Sequence, residues 1–181
     1  MIFGWFGKRA RRRAPADALF ARIADASRRP ALYMDGGIPD SFEGRFESLA
    51  LHMFLVLRRL RELPPPSDDL AQDLTDCCFD YLELGFRNGG VSDIAVPKRM
   101  KKIGQMFYGR LQAYGTAFSE ADPAALEEAL RRNAAPSADA ALLADYLRTA
   151  QAQLAGYDLD LILEKVTLFP IFCGKEPPDE A

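Results

Sequence analysis

Leu49-Ala-Leu-His-Met-Phe-Leu-Val-Leu57 is the stretch that decides the fold: eight of its nine residues are apolar, and wound as a helix they leave almost no polar face. Phe46 before it and Leu60 after it continue the spacing of three and four that keeps residues on one helical side. The run is far shorter than the roughly 20 residues that span a bilayer. It therefore reads as the buried centre of a helical bundle. Upstream, Asp40 and Glu43 stand in capping-box spacing to open this helix, and Pro64-Pro65-Pro66 stops it.

Working outward, a first helix is expected over residues 15–29, with Leu19, Phe20, Ile23 and Ala26 on one side and Pro30 ending it. A loop with Gly36, Gly37 and Pro39 follows. After the prolines, Ser67 is expected to cap a third helix to residue 87, which Gly89 and Gly90 break. Pro97 then sits in the first turn of a fourth, to residue 118. Asp122-Pro123 opens a short fifth helix and Pro136-Ser137 an alanine-rich sixth; an apolar segment at 159–172 and a polar, disordered tail at 174–181 close the chain. No run alternates apolar and polar with period two. The expectation is one all-α domain of six or seven helices over residues 15–173, between a basic aromatic arm at 1–14 and the tail.

With 181 residues, 49% of them hydrophobic, the chain can bury roughly 70% of its unfolded surface, so no disulfide or structural metal is required for a core. Its three cysteines, Cys77, Cys78 and Cys173, are an odd set with no zinc spacing and read as reduced thiols. The net charge of -3 is unevenly placed. Residues 1–13 hold five of the 23 cations and no acid, leaving 18 cations against 26 acids for the rest. Phe3, Trp5 and Phe6 precede Lys8, Arg9, Arg11, Arg12 and Arg13, the reverse of a secretory signal's order, and no longer transit peptide is seen. Aromatics at headgroup depth beside cations suit contact with an anionic membrane. A basic start with no specific role, or one that touches ribosomal RNA, are the other readings.

On the third helix Asp69, Asp73, Asp76, Asp80 and Glu83 fall in one narrow stripe. Helical di-metal sites also draw on Glu-x-x-His pairs, and His52 is the one histidine and lacks that spacing. The stripe is expected to be a solvated face or a partner surface, and His52 a hydrogen-bonded bundle residue. The fourth helix is amphipathic, with Lys98, Lys101, Lys102, Gln105 and Gln112 opposite Ile103, Phe107, Leu111 and Tyr114. Its first turns gather Lys98, Arg99, Lys101 and Lys102 where the helix dipole disfavours cations, so a partner is expected there, with Asp93 tying down the preceding loop by accepting backbone donors. Without a phosphate loop, nucleophile elbow or zincin signature, the expectation is no enzyme, no cofactor and no metal.

Three further stretches carry a resemblance. Ser41-Phe-Glu-Gly-Arg-Phe-Glu47 running into Leu51-His-Met-Phe-Leu-Val-Leu-Arg58, then residues 90–102, Gly-Val-Ser-Asp-Ile-Ala-Val-Pro-Lys-Arg-Met-Lys-Lys, then Phe107-Tyr-Gly-Arg110 with Tyr114, resemble the ubiquinol-cytochrome c chaperone family. The resemblance implies a non-enzymatic assembly factor for ubiquinol-cytochrome c reductase that binds newly made cytochrome b. It implies work beside a small partner subunit and near the ribosome, with no DNA. The expected location is cytoplasmic, peripheral on the inner membrane's cytoplasmic face. Two other classes stand beside it: a metal-dependent helical enzyme acting on an isoprenoid or quinone, which magnesium would stabilise, and a ribosome-associated RNA binder, recognised by salt-sensitive binding to RNA but not lipid.

Overall fold

The apolar run lies in α3 (Phe42–Glu62), surrounded by α1 (Phe3–Ser27), α2 (Pro30–Met34), α4 (Ser67–Asn88), α5 (Val96–Ser119), α6 (Ala124–Asn133), α7 (Ala140–Ala155) and α8 (Leu159–Glu164). The structure, a computed structural model, describes residues 3–120, 122–135 and 140–173, with side chains from residue 13 onward. Among the described residues there is no strand, and no helix is long and apolar enough to cross a membrane. α3 packs against α1, α4, α5 and α7 together, so Leu51, Met53, Leu55 and Val56 are all sealed from solvent although they point in different directions. α4 and α5 lean on α3 and on each other, and α6 joins α5 to α7.

The helix starts differ from expectation in ways local chemistry explains. α3 is capped by Ser41, whose Oγ accepts from the Gly44 amide at 3.1 Å, because Asp40 is drawn to the Arg45 guanidinium at 2.7 Å instead. Ser67 is the first residue of α4 and caps nothing; its hydroxyl donates back to the Leu63 and Pro64 carbonyls. α1 does not begin at Pro15 but at Phe3, its lysine, arginine and alanine run being rich enough in helix formers to carry the helix through the proline. The residues expected to form a separate arm thus continue α1. Pro30 does not merely end that helix; it also occupies the first turn of α2, where its missing N–H is no loss. The Ser27 carbonyl ties these pieces together, accepting from Tyr33 and from Ser48 at 2.7 Å each. The sixth helix's expected start at Pro136-Ser137 and the tail at 174–181 lie outside the described residues.

The closing apolar segment is helical only in α8. From Lys165 to Cys173 it has no regular secondary structure and bends at Val166 and Phe169, the second of these just before Pro170, which disfavours helix there. Arg22 donates to the Lys165 carbonyl, Arg29 to that of Pro170 at 2.6 Å, and Gln153 to that of Leu168 at 3.2 Å, while Leu168, Phe169 and Phe172 turn into the core.

The α3 start also sets a close approach that tolerates no side chain. A Cβ on Gly44 would stand 1.9 Å from the Pro39 carbonyl oxygen. Gly44→Ala is expected to lever the 35–41 loop off α3 and cost about 2 kcal/mol, read as a lower urea midpoint at unchanged m-value.

Candidate functional site

The start of α3, the end of α4 and the start of α5 meet at one end of the bundle and leave an apolar cleft of about 500 Å³ between them. Phe42, Phe86, Val91, Ile103 and Met106 make its walls, and Arg99 and Lys102 stand on its rim. A second cleft of about 220 Å³, reaching Tyr81 and Arg28, adjoins it; Phe42, Phe46 and Gly85 line both. From Tyr81 to Gly89 the two follow about 12 Å of α4. Phe42 remains 50% exposed although its ring lies 5.4 Å from that of Phe86, a large apolar surface that the chain's own packing leaves uncovered. Gly85 lines the same two clefts. A Cβ there would meet nothing within 4 Å, and a glycine inside a helix costs about 1 kcal/mol against alanine, so the fold itself gains nothing from its being glycine.

The rim is basic because of how α5 turns. Lys98, Arg99, Lys101 and Lys102 are all exposed, and the three lysines make no ion pair among the described residues. Arg99 and Lys102 face the cleft, with the Arg99 guanidinium 5.7 Å from the Phe86 ring centre, whereas Lys98 and Lys101 do not line it. Asp93 does not collect backbone donors; its carboxylate pairs with the Arg87 guanidinium, which also holds Glu83 at 2.8 Å. The loop is nevertheless tied, since the Ser92 carbonyl accepts from Ala95 and Val96. The side chains of Phe3, Trp5, Phe6, Lys8, Arg9, Arg11 and Arg12 lie outside the described residues. Arg13 is described, and it turns inward to Asp80 at 2.6 Å.

That contact changes the reading of the acidic stripe. Asp80 is bound by Arg13, Asp76 accepts from Gln72 at 3.0 Å and Glu83 is held by Arg87, so these carboxylates are engaged rather than simply solvated. No group of three metal-ligating side chains comes together among the described residues. Beside Arg13, the Cys77 thiol donates to Asp17 at 3.0 Å; burial first, then that bond, pushes Cys77 up to about 11, and burial pushes Cys78 up to about 12. Neither is a ready thiolate at neutral pH.

His52 lines neither cleft; it is 1% exposed, with Nδ1 2.7 Å from the Ser48 carbonyl and Nε2 2.8 Å from the Tyr146 hydroxyl. It is the hydrogen-bonded bundle residue expected. Sequence reasoning missed Glu47. On the buried side of α3, with its side chain 5% exposed, it accepts from the Arg110 Nε–H of α5 through both carboxylate oxygens at 2.8 Å, with Nη2 also 2.8 Å from Oε1, and lies 3.4 Å from the Tyr114 hydroxyl. Burial raises the Tyr114 hydroxyl well above its ordinary value, and the Glu47 charge adds to this. Glu47, Arg110 and Tyr114 were all within the stretches quoted for the resemblance, but as residues of a pattern and not as an ion pair.

The sequence pattern described as ubiquinol-cytochrome C chaperone matches residues 34–169, which contain both the cleft walls and the Glu47–Arg110 pair. The chain belongs to the ubiquinol-cytochrome c chaperone family. In keeping with that membership, its fold is similar to the crystal structure of the Cbp3 homolog from Brucella abortus, with TM-score 0.75 and 34% sequence identity over 90% of this chain and 93% of that one. No curated protein sequence matches the chain. The family pattern starts at Met34, so all of α1 falls before it, while the cleft residues from α3, α4 and α5 fall within.

Proposed function

We propose that the chain is a non-enzymatic assembly factor of ubiquinol-cytochrome c reductase that holds a segment of newly made cytochrome b in the cleft, working at a membrane face. The observation that carries this reading is the uncovered apolar surface of Phe42 in a cleft that Gly85 also lines. A client helix taken out of lipid needs its apolar side covered, and a groove between helices lined in part by glycine lets another backbone come close. Arg99 and Lys102 on the rim suit the carbonyl end of such a helix or the phosphates beside it. Family membership supports the assembly role, and the cleft supports the reading that a client is held there.

Filling the groove tests this. Gly85→Leu removes a helix glycine where nothing blocks a side chain, so the melting temperature is expected to hold or rise. Assembled cytochrome b, read from its haem absorbance in membranes of a strain carrying only this variant, is expected to fall several-fold. Normal cytochrome b at wild-type abundance of the variant would show that the client does not use this cleft. Changing Arg99 and Lys102 together to Gln is expected to lower cytochrome b less, with no change in melting temperature, because both side chains are exposed.

A further inference from the structure

Ile94 is 94% exposed at the tip of the turn in which the Ser92 carbonyl accepts from the Ala95 amide at 2.8 Å. The first turns of α5 follow, and on the side away from the cleft they present Lys98 and Lys101, then Tyr108, seven residues beyond Lys101 and so on the same stripe. We propose that Ile94, Lys98, Lys101 and Tyr108 form a membrane-docking surface for an anionic bilayer, separate from the N-terminal cations.

Folding accounts for the placement of neither Ile94 nor the two lysines. A bare isoleucine at a turn tip leaves its whole side chain in water. Cations at a helix start oppose the dipole, and Lys98 and Lys101 have no carboxylate to offset this among the described residues. Within residues 83–108 the two acids, Glu83 and Asp93, are both held by Arg87, which leaves Lys98, Arg99, Lys101 and Lys102 as four further cations; Glu43 lies on the cleft side with Arg99 and Lys102. An aliphatic tip that enters between acyl chains, ringed by lysines at phosphate depth, is the arrangement that binds a bilayer surface.

Lipid is favoured over RNA by the side chains themselves. Isoleucine has no face on which a base stacks. The Tyr108 ring lies 6.1 Å from that of Phe79 and 5.6 Å from that of Phe107, so its apolar body is packed against the protein with part of the side chain left at the surface, as tyrosine sits at a bilayer interface. Lysine, a flexible point charge, suits a fluid layer of headgroups where arginine would favour a fixed bidentate phosphate. With the tip in the interface, the cleft rim of Arg99 and Lys102 stands one side of α5 away from the bilayer. This deepens the reading of a factor that works at a membrane, and its test needs no client.

The full-length chain is floated with vesicles of phosphatidylcholine containing phosphatidylglycerol, with vesicles of phosphatidylcholine alone, and incubated in parallel with structured RNA. Binding to the anionic vesicles only is expected, weakening as salt rises. Lys98→Gln with Lys101→Gln is expected to lower the partition coefficient about 30-fold, and Ile94→Ser about tenfold, at unchanged melting temperature. A variant with Lys8, Arg9, Arg11 and Arg12 changed to Gln is expected to keep vesicle binding that the tip changes still remove. The proposal is overturned if the tip variants float as the wild type does, if the N-terminal cations account for all binding, or if RNA is bound and vesicles are not. Tip variants that float as the wild type does while Gly85→Leu lowers cytochrome b would sink the tip and leave the cleft standing; tip variants that lose vesicle binding while Gly85→Leu leaves cytochrome b normal would do the opposite.

Discussion

Arg110→Leu is expected to lower the melting temperature by roughly 10 °C, the largest loss foreseen for any single change outside the apolar core. The reason is the partner it leaves behind. Glu47 has a side chain only 5% exposed and accepts from the Arg110 guanidinium at 2.8 Å through both carboxylate oxygens. Removing the guanidinium strands a buried carboxylate with the Tyr114 hydroxyl at 3.4 Å as its remaining donor, and such a break costs about 3–5 kcal/mol. Replacing both partners with apolar residues of similar volume, Glu47→Met with Arg110→Leu, is expected to recover most of that loss, since it removes the stranded charge as well as the pair. Thermal denaturation of the two single variants and the double decides: a double variant no more stable than Arg110→Leu alone would mean that the buried charge is not what destabilises. The pair also bears on the site. It joins α3 to α5 on the same side as the buried Phe107 and Tyr114, and with α5 so seated Arg99 and Lys102 line the cleft while Lys98 and Lys101 do not.

The all-helical fold was legible because burial in a bundle follows directly from periodicity. A nine-residue stretch with apolar residues on every side has one stable place, in contact with several helices at once, and α3 occupies it. Helix ends were less legible because several neighbouring side chains compete for the same few donors. Asp40 and Ser41 both suit a cap, and which one serves depends on Arg45, five residues after Asp40, capturing the aspartate. The extent of α1 depended on whether a proline outweighs a run of good helix formers, and the irregular course of 165–173 depends on arginines 141 and 143 positions away in sequence.

The site was legible in part and for an instructive reason. The basic turn of α5 stood out because it runs against the helix dipole, a local conflict that needs no structure to see. The cleft beside it did not, because no local rule marks it: Phe42 looks like any apolar residue near a helix start, and Gly85 like a weak point in α4. Only the meeting of three helix ends shows that one is uncovered and the other has open space above it. Glu47 stayed hidden for the opposite cause. A glutamate on an apolar helix reads as a surface position until its partner, 63 residues on, is placed beside it.

Between pH 6.5 and 5 the protein is expected to lose about 2 kcal/mol of stability through His52 alone. The Ser48 carbonyl can only accept, so Nδ1 carries the ring proton and the bare Nε2 accepts from the Tyr146 hydroxyl at 2.8 Å. Phe169 closes the pocket edge-on at 4.8 Å, so a charged imidazole there would be cut off from water. Burial, with the Arg29 charge as a lesser cause, pushes His52 down to about 4, against the 6.5 of a free imidazole. Below pH 6.5 the unfolded chain takes up a proton that the folded chain refuses, so stability falls as pH drops, by about 3 kcal/mol in all, until the folded ring itself protonates near pH 4. The slope fades as pH rises through 6.5, where the unfolded imidazole is half protonated, and is gone above about pH 7.5. Carboxylates add their own losses further down, which makes the window above pH 5 the diagnostic one. His52→Gln can still accept from Tyr146, and although it leaves the Ser48 carbonyl short of a donor and is less stable throughout, its stability is expected to be nearly flat across that window. Urea midpoints at pH 6.5, 5.8 and 5 compare the slopes. Because His52 is the chain's one histidine, an equal slope in the variant could come from no other imidazole, and it would show that the ring is not held neutral in the fold.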